Sequence, residues 1–215
     1  MLKALFRNAG HPGVNMFGSL MLWMMGHGHQ KMQLWTQQFF QIPPDGKVLD
    51  IGCGGGRNID NMRRIAPEAT FHGVDCSPLC IKKSGERNRK AVKAGKAFFS
   101  LGTVSLLPYE DNAFDLAIAS ETIYFWPRPA DDFKEVYRVL KPSGSFLICN
   151  EVAEPKQAEK WVDVVGQMRV YTKKELHGLL TRAGFSDVGI HLHENGHWLC
   201  ITARKQVENK NFRKN

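Results

Sequence analysis

The nine residues Val48-Leu49-Asp50-Ile51-Gly52-Cys53-Gly54-Gly55-Gly56 constrain this chain more than any others. An apolar run ends in an acid and breaks into a glycine-rich loop, and a helical pattern opens near Asn58. Glycine has no Cβ, so such a loop lets backbone approach a ligand closely. The helix that follows presents unpaired N–H groups and the positive end of its dipole. Strand, glycine turn and helix in this order build a cradle for a nucleotide-like cofactor.

From Lys47 onward the pattern alternates strand and helix. Short apolar runs predict strands at Lys47–Ile51, Thr70–Val74, Ala97–Leu101, Phe114–Ser120 and Ser145–Glu151, as buried parallel strands should read. Amphipathic or one-sidedly charged stretches predict helices at Asn58–Ile65, Pro78–Ala94, Asp131–Val139 and Lys173–Ala183, with Ser77 as an N-cap and Gly184 as a C′ glycine. Two final strands, Val188–His193 and His197–Ala203, flank Asn195-Gly196, a hairpin signal. The expected fold is α/β: a doubly wound, mostly parallel seven-stranded sheet with an antiparallel C-terminal strand. Residues 1–46 read differently. They are rich in Met, His and aromatics, and predict two short helices with a break near Gly26-His27-Gly28.

A chain of 215 residues fits one domain, or one with an appendage, and can bury its core without disulfides. Of the formal net charge of +8, the end of the chain (Arg204, Lys205, Lys210, Arg213 and Lys214 against Glu208) supplies +4. That distribution reads as a frayed basic tail, residues 205–215, rather than a nucleic-acid footprint. Five cysteines show no metal-ligand spacing, and reduced thiols in the cytoplasm are expected. The apolar stretch Val14 to Met25 is too short to span a bilayer.

Three features select the cofactor. A dinucleotide fingerprint needs glycine where this chain has Arg57. Asp50, just before the glycines, would repel a pyrophosphate but suit a cationic amine or sulfonium. Asp75 ends the second strand, where a carboxylate can accept two hydrogen bonds from a ribose diol. With these residues the chain resembles the class I S-adenosylmethionine-dependent methyltransferases, a Rossmann-like family. The run Val48 to Gly56 resembles the family's first motif, Gly73-Val74-Asp75 its acidic ribose motif, and Gly102 to Pro108 its adenine-side motif. The blocks Asp111 to Leu116 and Arg138 to Gly144 resemble its later signatures. The match covers Lys47 to Glu151 and extends loosely beyond. Met24 to Gln30, with Trp35, resembles the lid of ubiquinone/menaquinone C-methyltransferases, whereas Ser120 to Trp126 departs from that subgroup's pattern.

The resemblance implies a division into a helical lid (1–46) and an S-adenosylmethionine-binding domain (47–204). It implies that Gly52, Gly54 and Gly56 turn the loop under the methionine moiety, with Cys53 and Cys76 beside the cofactor. Asp50 would orient the amino group and Asp75 the ribose hydroxyls. Thr103 stands where the family usually has an acid, and its hydroxyl with the Val104 N–H would face adenine. Ser120 lies at the crevice. Glu121 either steers a cationic acceptor, acts as a base, or pairs with a helix N-terminus, and Tyr124 is the other catalytic candidate. Trp126 and His29 are assigned to the acceptor wall and lid, with helix-to-sheet packing as the alternative for the Tyr124-Phe125-Trp126 cluster. His191, His193 and His197 are read as a solvated strand face rather than a metal site.

The expected reaction is in-line transfer of a methyl group to a small-molecule acceptor, leaving S-adenosylhomocysteine. Little chain lies outside the core fold, which favours a small acceptor, with neither nucleic acid nor a membrane span involved. Two alternatives remain open. A nucleic-acid methyltransferase would carry an Asn/Asp-Pro-Pro-aromatic segment or a Pro-Cys pair, and neither is present after the fourth strand. A non-catalytic sensor would keep the cofactor site without an acceptor reaction.

Overall fold

The computed structural model describes residues 30–159 and 168–207. The expected helices before Gln30, His29, and the tail beyond Val207 lie outside the described residues. Helix α1 (Gln30–Thr36) and a 3₁₀ turn (Gln37–Phe39) precede β1 (Lys47–Ile51), α2 (Arg57–Ile65) and β2 (Thr70–Asp75). Next come α3 (Pro78–Arg87), α4 (Arg89–Lys93), β3 (Ala97–Leu101), β4 (Phe114–Ser120), α5 (Pro129–Val139) and β5 (Leu140–Asn150). The chain finishes with α6 (Lys173–Arg182), β6 (Phe185–Leu192) and β7 (Leu199–Lys205).

The strands form one seven-stranded sheet in the order β3-β2-β1-β4-β5-β7-β6. All neighbours are parallel except β7, which runs against both β5 and β6. Alternating side chains feed two cores. Phe146, Ile148 and Ile201 meet Phe133 and Val136 of α5 and Leu176 and Leu180 of α6. On the other face Val48, Phe71, Ile118 and Leu147 meet Ile59 and Met62 of α2 and Met32 of α1. The central strands are buried on both faces, which is why they were readable as continuous apolar runs.

Four expectations need correction. The long helix Pro78–Ala94 is two helices, because Asn88 turns its amide onto the carbonyls of Ser84 and Gly56 at the break. Strand β5 begins at Leu140 rather than Ser145, pairing Leu140 with Phe114 before a register shift. The Asn195-Gly196 hairpin has a six-residue connection, His193 to Trp198, in which Asn195 Oδ1 accepts from the N–H groups of His197 and Trp198. Arg204 and Lys205 belong to β7, not to a tail. The Lys205 ammonium donates to the carbonyls of Tyr137 and Leu140 (both 2.8 Å) and to Asn112 Oδ1 (2.9 Å). Ser77 caps α3 by accepting from the Cys80 N–H, and Gly184 follows α6 at φ 101°, both as expected. Among the described residues, no helix is long and apolar enough to cross a membrane.

Candidate active site at the carboxyl edge of the sheet

The chain leaves β1 for β2 on one side, while β4 lies on the other. The carboxyl ends of β1 and β4 therefore form a switch point, where open α/β sheets bind ligands. Asp50, the glycine loop, Asp75, the Gly102–Pro108 loop, Ser120 and Glu121 all come to this edge.

Asp50 is 2 % exposed. Its Oδ1 accepts from Asn58 Nδ2 at 3.2 Å, and its Oδ2 has no hydrogen-bond partner among the described residues. Burial pushes its pKa up to about 7, with the Asn58 hydrogen bond opposing and the Asp75 charge adding to the rise. A buried carboxylate with one oxygen unspent is a receptor for a cation.

The glycine loop turns through left-handed backbone at Gly52, Gly54 and Gly56 (φ 73°, 53° and 72°). A Cβ on Gly52 would lie 2.3 Å from Thr122 Cγ2, and one on Gly56 would lie 2.7 Å from Asn88 Nδ2. Gly55 has open space around it. Asp75 holds the loop from the second strand. Its Oδ2 accepts from the Gly54 N–H at 3.0 Å and its Oδ1 from the Ser77 N–H at 2.9 Å. The Cys80 thiol also hydrogen-bonds this carboxylate, which leaves acceptor capacity for a ribose hydroxyl. The Cys53 thiol packs inward, where a Cβ on Gly73 would come within 2.8 Å of it, and burial pushes its pKa up. Cys53 therefore offers backbone rather than sulfur to the crevice. The half-buried Cys76 thiol is raised by burial and by Asp75.

Thr103 is exposed, and Val104 and Leu107 anchor the adenine-side loop in the core. Helix α5 holds this loop from behind. Ser105 Oγ donates to the fully buried Asp132 (2.6 Å), the Leu107 N–H donates to Glu135 (2.8 Å), and Arg138 donates to the Tyr109 carbonyl (2.8 Å).

Ser120 Oγ is buried without a hydrogen-bond partner among the described residues. Glu121 sits at φ 60°, and its Oε1 accepts from the Glu151 N–H and from the Tyr124 hydroxyl. The Tyr124 oxygen in turn accepts from the Val152 N–H at 3.3 Å. Burial, then the Glu121 charge, push the Tyr124 pKa well above the ordinary phenol value. Glu121 and Tyr124 thus brace β4 against the segment after β5, with the Tyr124 hydroxyl donating to the Glu121 carboxylate. The Trp126 indole is 7 % exposed, with Phe133 and Phe146 at 5.5 and 6.3 Å, so it packs as core rather than as an acceptor wall.

Of the three histidines near the chain's end, His197 is exposed as expected, and the other two are not. His191 stacks on Phe39 at 4.1 Å, and His193 meets Trp35 and Trp198 at 5.2 and 4.5 Å. They form the seat of α1 and the turn after it, not a solvated face. Residue-by-residue reading missed Asn58, Thr122, Ser84, Arg87 and Asn88. All five touch Asp50 or the glycine loop from elsewhere in the chain, and only the polar spacing of Ser84, Arg87 and Asn88 on one helix face hinted at a shared role.

An acid ending β1, a left-handed glycine loop and an acid ending β2, on this strand order, define a class I S-adenosylmethionine-dependent methyltransferase fold. The methyltransferase-domain family model matches residues 42–184, and the chain belongs to that family. It is 34 % identical over 107 residues to cycloartenol-C-24-methyltransferase 1 of Oryza sativa subsp. japonica, covering 50 % of this chain and 31 % of the relative. It is 30 % identical over 132 residues to the demethylmenaquinone methyltransferase of Lactiplantibacillus plantarum, covering 61 % and 54 %. The chain thus spans about half or less of these curated relatives. A solved Thermotoga maritima structure, described as an S-adenosylmethionine-dependent methyltransferase and possible histamine N-methyltransferase, superposes with a TM-score of 0.70. At 20 % identity it covers 96 % of this chain and all of its own.

Proposed function

We propose that this protein transfers a methyl group from S-adenosylmethionine to a small-molecule acceptor. The observation that carries the reading is the unspent Oδ2 of buried Asp50, beside a glycine loop whose amide is held by Asp75. The residues fit the cofactor. Asp50 would receive its ammonium and Asp75 its ribose hydroxyls. The Gly52–Gly56 backbone would lie along its amino-acid end, and Thr103 and Val104 would meet the adenine. Bound there, the cofactor supplies a methyl group already activated on a sulfonium.

The chain's own contribution is placement. Gly52 and Gly54 let the loop approach without side chains between. Asp50 and Asp75 fix two ends of one ligand, which turns encounter into alignment. Ser120 ends β4 beside this edge, and its buried Oγ, without a described hydrogen-bond partner, would orient the acceptor. Glu121 holds the β4–β5 edge through the Glu151 N–H. In-line transfer from a sulfonium needs alignment first, and no general base is assigned. Of the segment read as a lid, the described part packs on the sheet through Met32 and Trp35. A small acceptor is supported by the relatives, whose names specify a sterol and a quinone.

Incubation with methyl-labelled S-adenosylmethionine and a panel of quinols, sterols and amines tests the activity. Label transferred to one acceptor, and lost in Asp50→Asn, supports the proposal. Tight retention of the cofactor without transfer to any acceptor would favour the sensor reading instead.

A further inference from the structure

The glycine loop is gripped on the side of helix α3. Three residues of that helix and its break take three successive loop carbonyls. Ser84 Oγ donates to Gly54 O at 2.7 Å, Arg87 Nε to Gly55 O at 2.9 Å, and Asn88 Nδ2 to Gly56 O at 2.9 Å. The spacing i, i+3, i+4 puts the three side chains on one helix face. Contact is close enough that a Cβ on Gly56 would lie 2.9 Å from Ser84 Cα.

The trans peptide gives this grip a consequence. A carbonyl and the N–H that follows it point in opposite directions in one rigid plane. Fixing the Gly54 carbonyl on Ser84 turns the Gly55 N–H away from α3. The Gly56 N–H closes the turn onto Cys53 O at 2.9 Å. Gly54 is therefore held at both ends, its N–H by Asp75 and its carbonyl by Ser84. The same helix face thus sets the loop that approaches the amino-acid end of the cofactor and, through Gly54, the carboxylate assigned to the ribose.

We propose that Ser84, Arg87 and Asn88 form a positioning clamp on Gly54–Gly56 that sets cofactor affinity. They act through the loop and do not touch the ligand. Asn88 combines two functions, because turning its amide to Gly56 is also what breaks the helix. The inference rests on the cofactor reading above.

The test is calorimetric titration of S-adenosylhomocysteine into the full chain, with melting temperatures of the ligand-free proteins recorded alongside. Arg87 is exposed, so Arg87→Ala leaves the core intact. It should weaken binding about threefold to tenfold, the effect of losing one charge-assisted hydrogen bond on a solvated rim, at an unchanged melting temperature. Arg87→Lys, which keeps a cationic donor, should recover part of the loss. Asn88→Asp replaces the donor by an acceptor facing Gly56 O and should weaken binding by more than about tenfold. If Asn88→Asp does not fold, the two Arg87 variants decide. Wild-type binding with both Arg87 variants within twofold of it would overturn the clamp and leave the cofactor reading standing. So would a loss that follows the melting temperature and is not restored by lysine. A wild type that binds nothing removes the cofactor reading and the clamp together.

Discussion

Asp50 carries the strongest chemical signature in the molecule, and its titration makes a signed prediction. Burial raises its folded pKa from 3.8 to about 7, so between these values the folded chain holds a proton that the unfolded chain releases. Its contribution to ligand-free stability is full below pH about 4 and is lost as pH rises through about 7. Cofactor binding has the opposite sense, because the ammonium selects the ionised carboxylate. Affinity for S-adenosylhomocysteine should rise from pH 5.5 to 7.5, and Asp50→Asn should flatten that rise while costing about tenfold or more at pH 7.5. Titrations at a series of pH values check both parts. Gly52 makes a steric prediction at the same scale. Gly52→Ala places a methyl 2.3 Å from Thr122 Cγ2 at φ 73° and should cost about 1–3 kcal/mol in urea unfolding. Thr122→Ser removes that methyl, so the double variant should regain part of the loss. Asp50, the glycines and Asp75 were legible in the sequence because each sits at a strand end with a fixed backbone need. Trp126 was not, because an aromatic following a strand can face a ligand or the core, and only the positions of Phe133 and Phe146 decide.

At the scale of elements, helices hold the loops that line the crevice. α3 grips the glycine loop, and α5 grips the Gly102–Pro108 loop through Asp132, Glu135 and Arg138. These bonds join residues about thirty positions apart, so they leave no local pattern. The strands did leave one: the buried β1 and β4 and the edge strand β3 begin and end where their apolar runs predict. α5 is itself secured at its C-terminus by Lys205, whose ammonium meets carbonyls at its end and lies 4.7 Å from the Tyr137 ring. A cation there satisfies orphan carbonyls and complements the helix dipole. Lys205→Met should lower stability by about 1–3 kcal/mol in urea unfolding. Removing an exposed tail lysine would cost almost nothing, so the experiment separates the strand assignment from the tail reading.

For the whole molecule, one sheet edge gathers the described residues assigned to the cofactor, while the two faces are filled with apolar side chains. Ligand binding at that edge should stabilise the fold by mass action. S-adenosylhomocysteine at a hundred times its Kd should add about 2.7 kcal/mol and raise the melting temperature by about 5–10 °C. The acceptor was the least legible part of the chain. In-line transfer requires alignment more than any fixed set of reacting side chains, so a sequence has little obligate chemistry to display there. The cofactor site is tested by calorimetric titration of S-adenosylhomocysteine into the wild type and Asp75→Ala. One-site binding near micromolar Kd is expected, weakened at least about tenfold in the variant, whose lost carboxylate would both bind the ribose and hold Gly54. Equal binding by the two proteins, or none by a folded and ligand-free wild type, would contradict it.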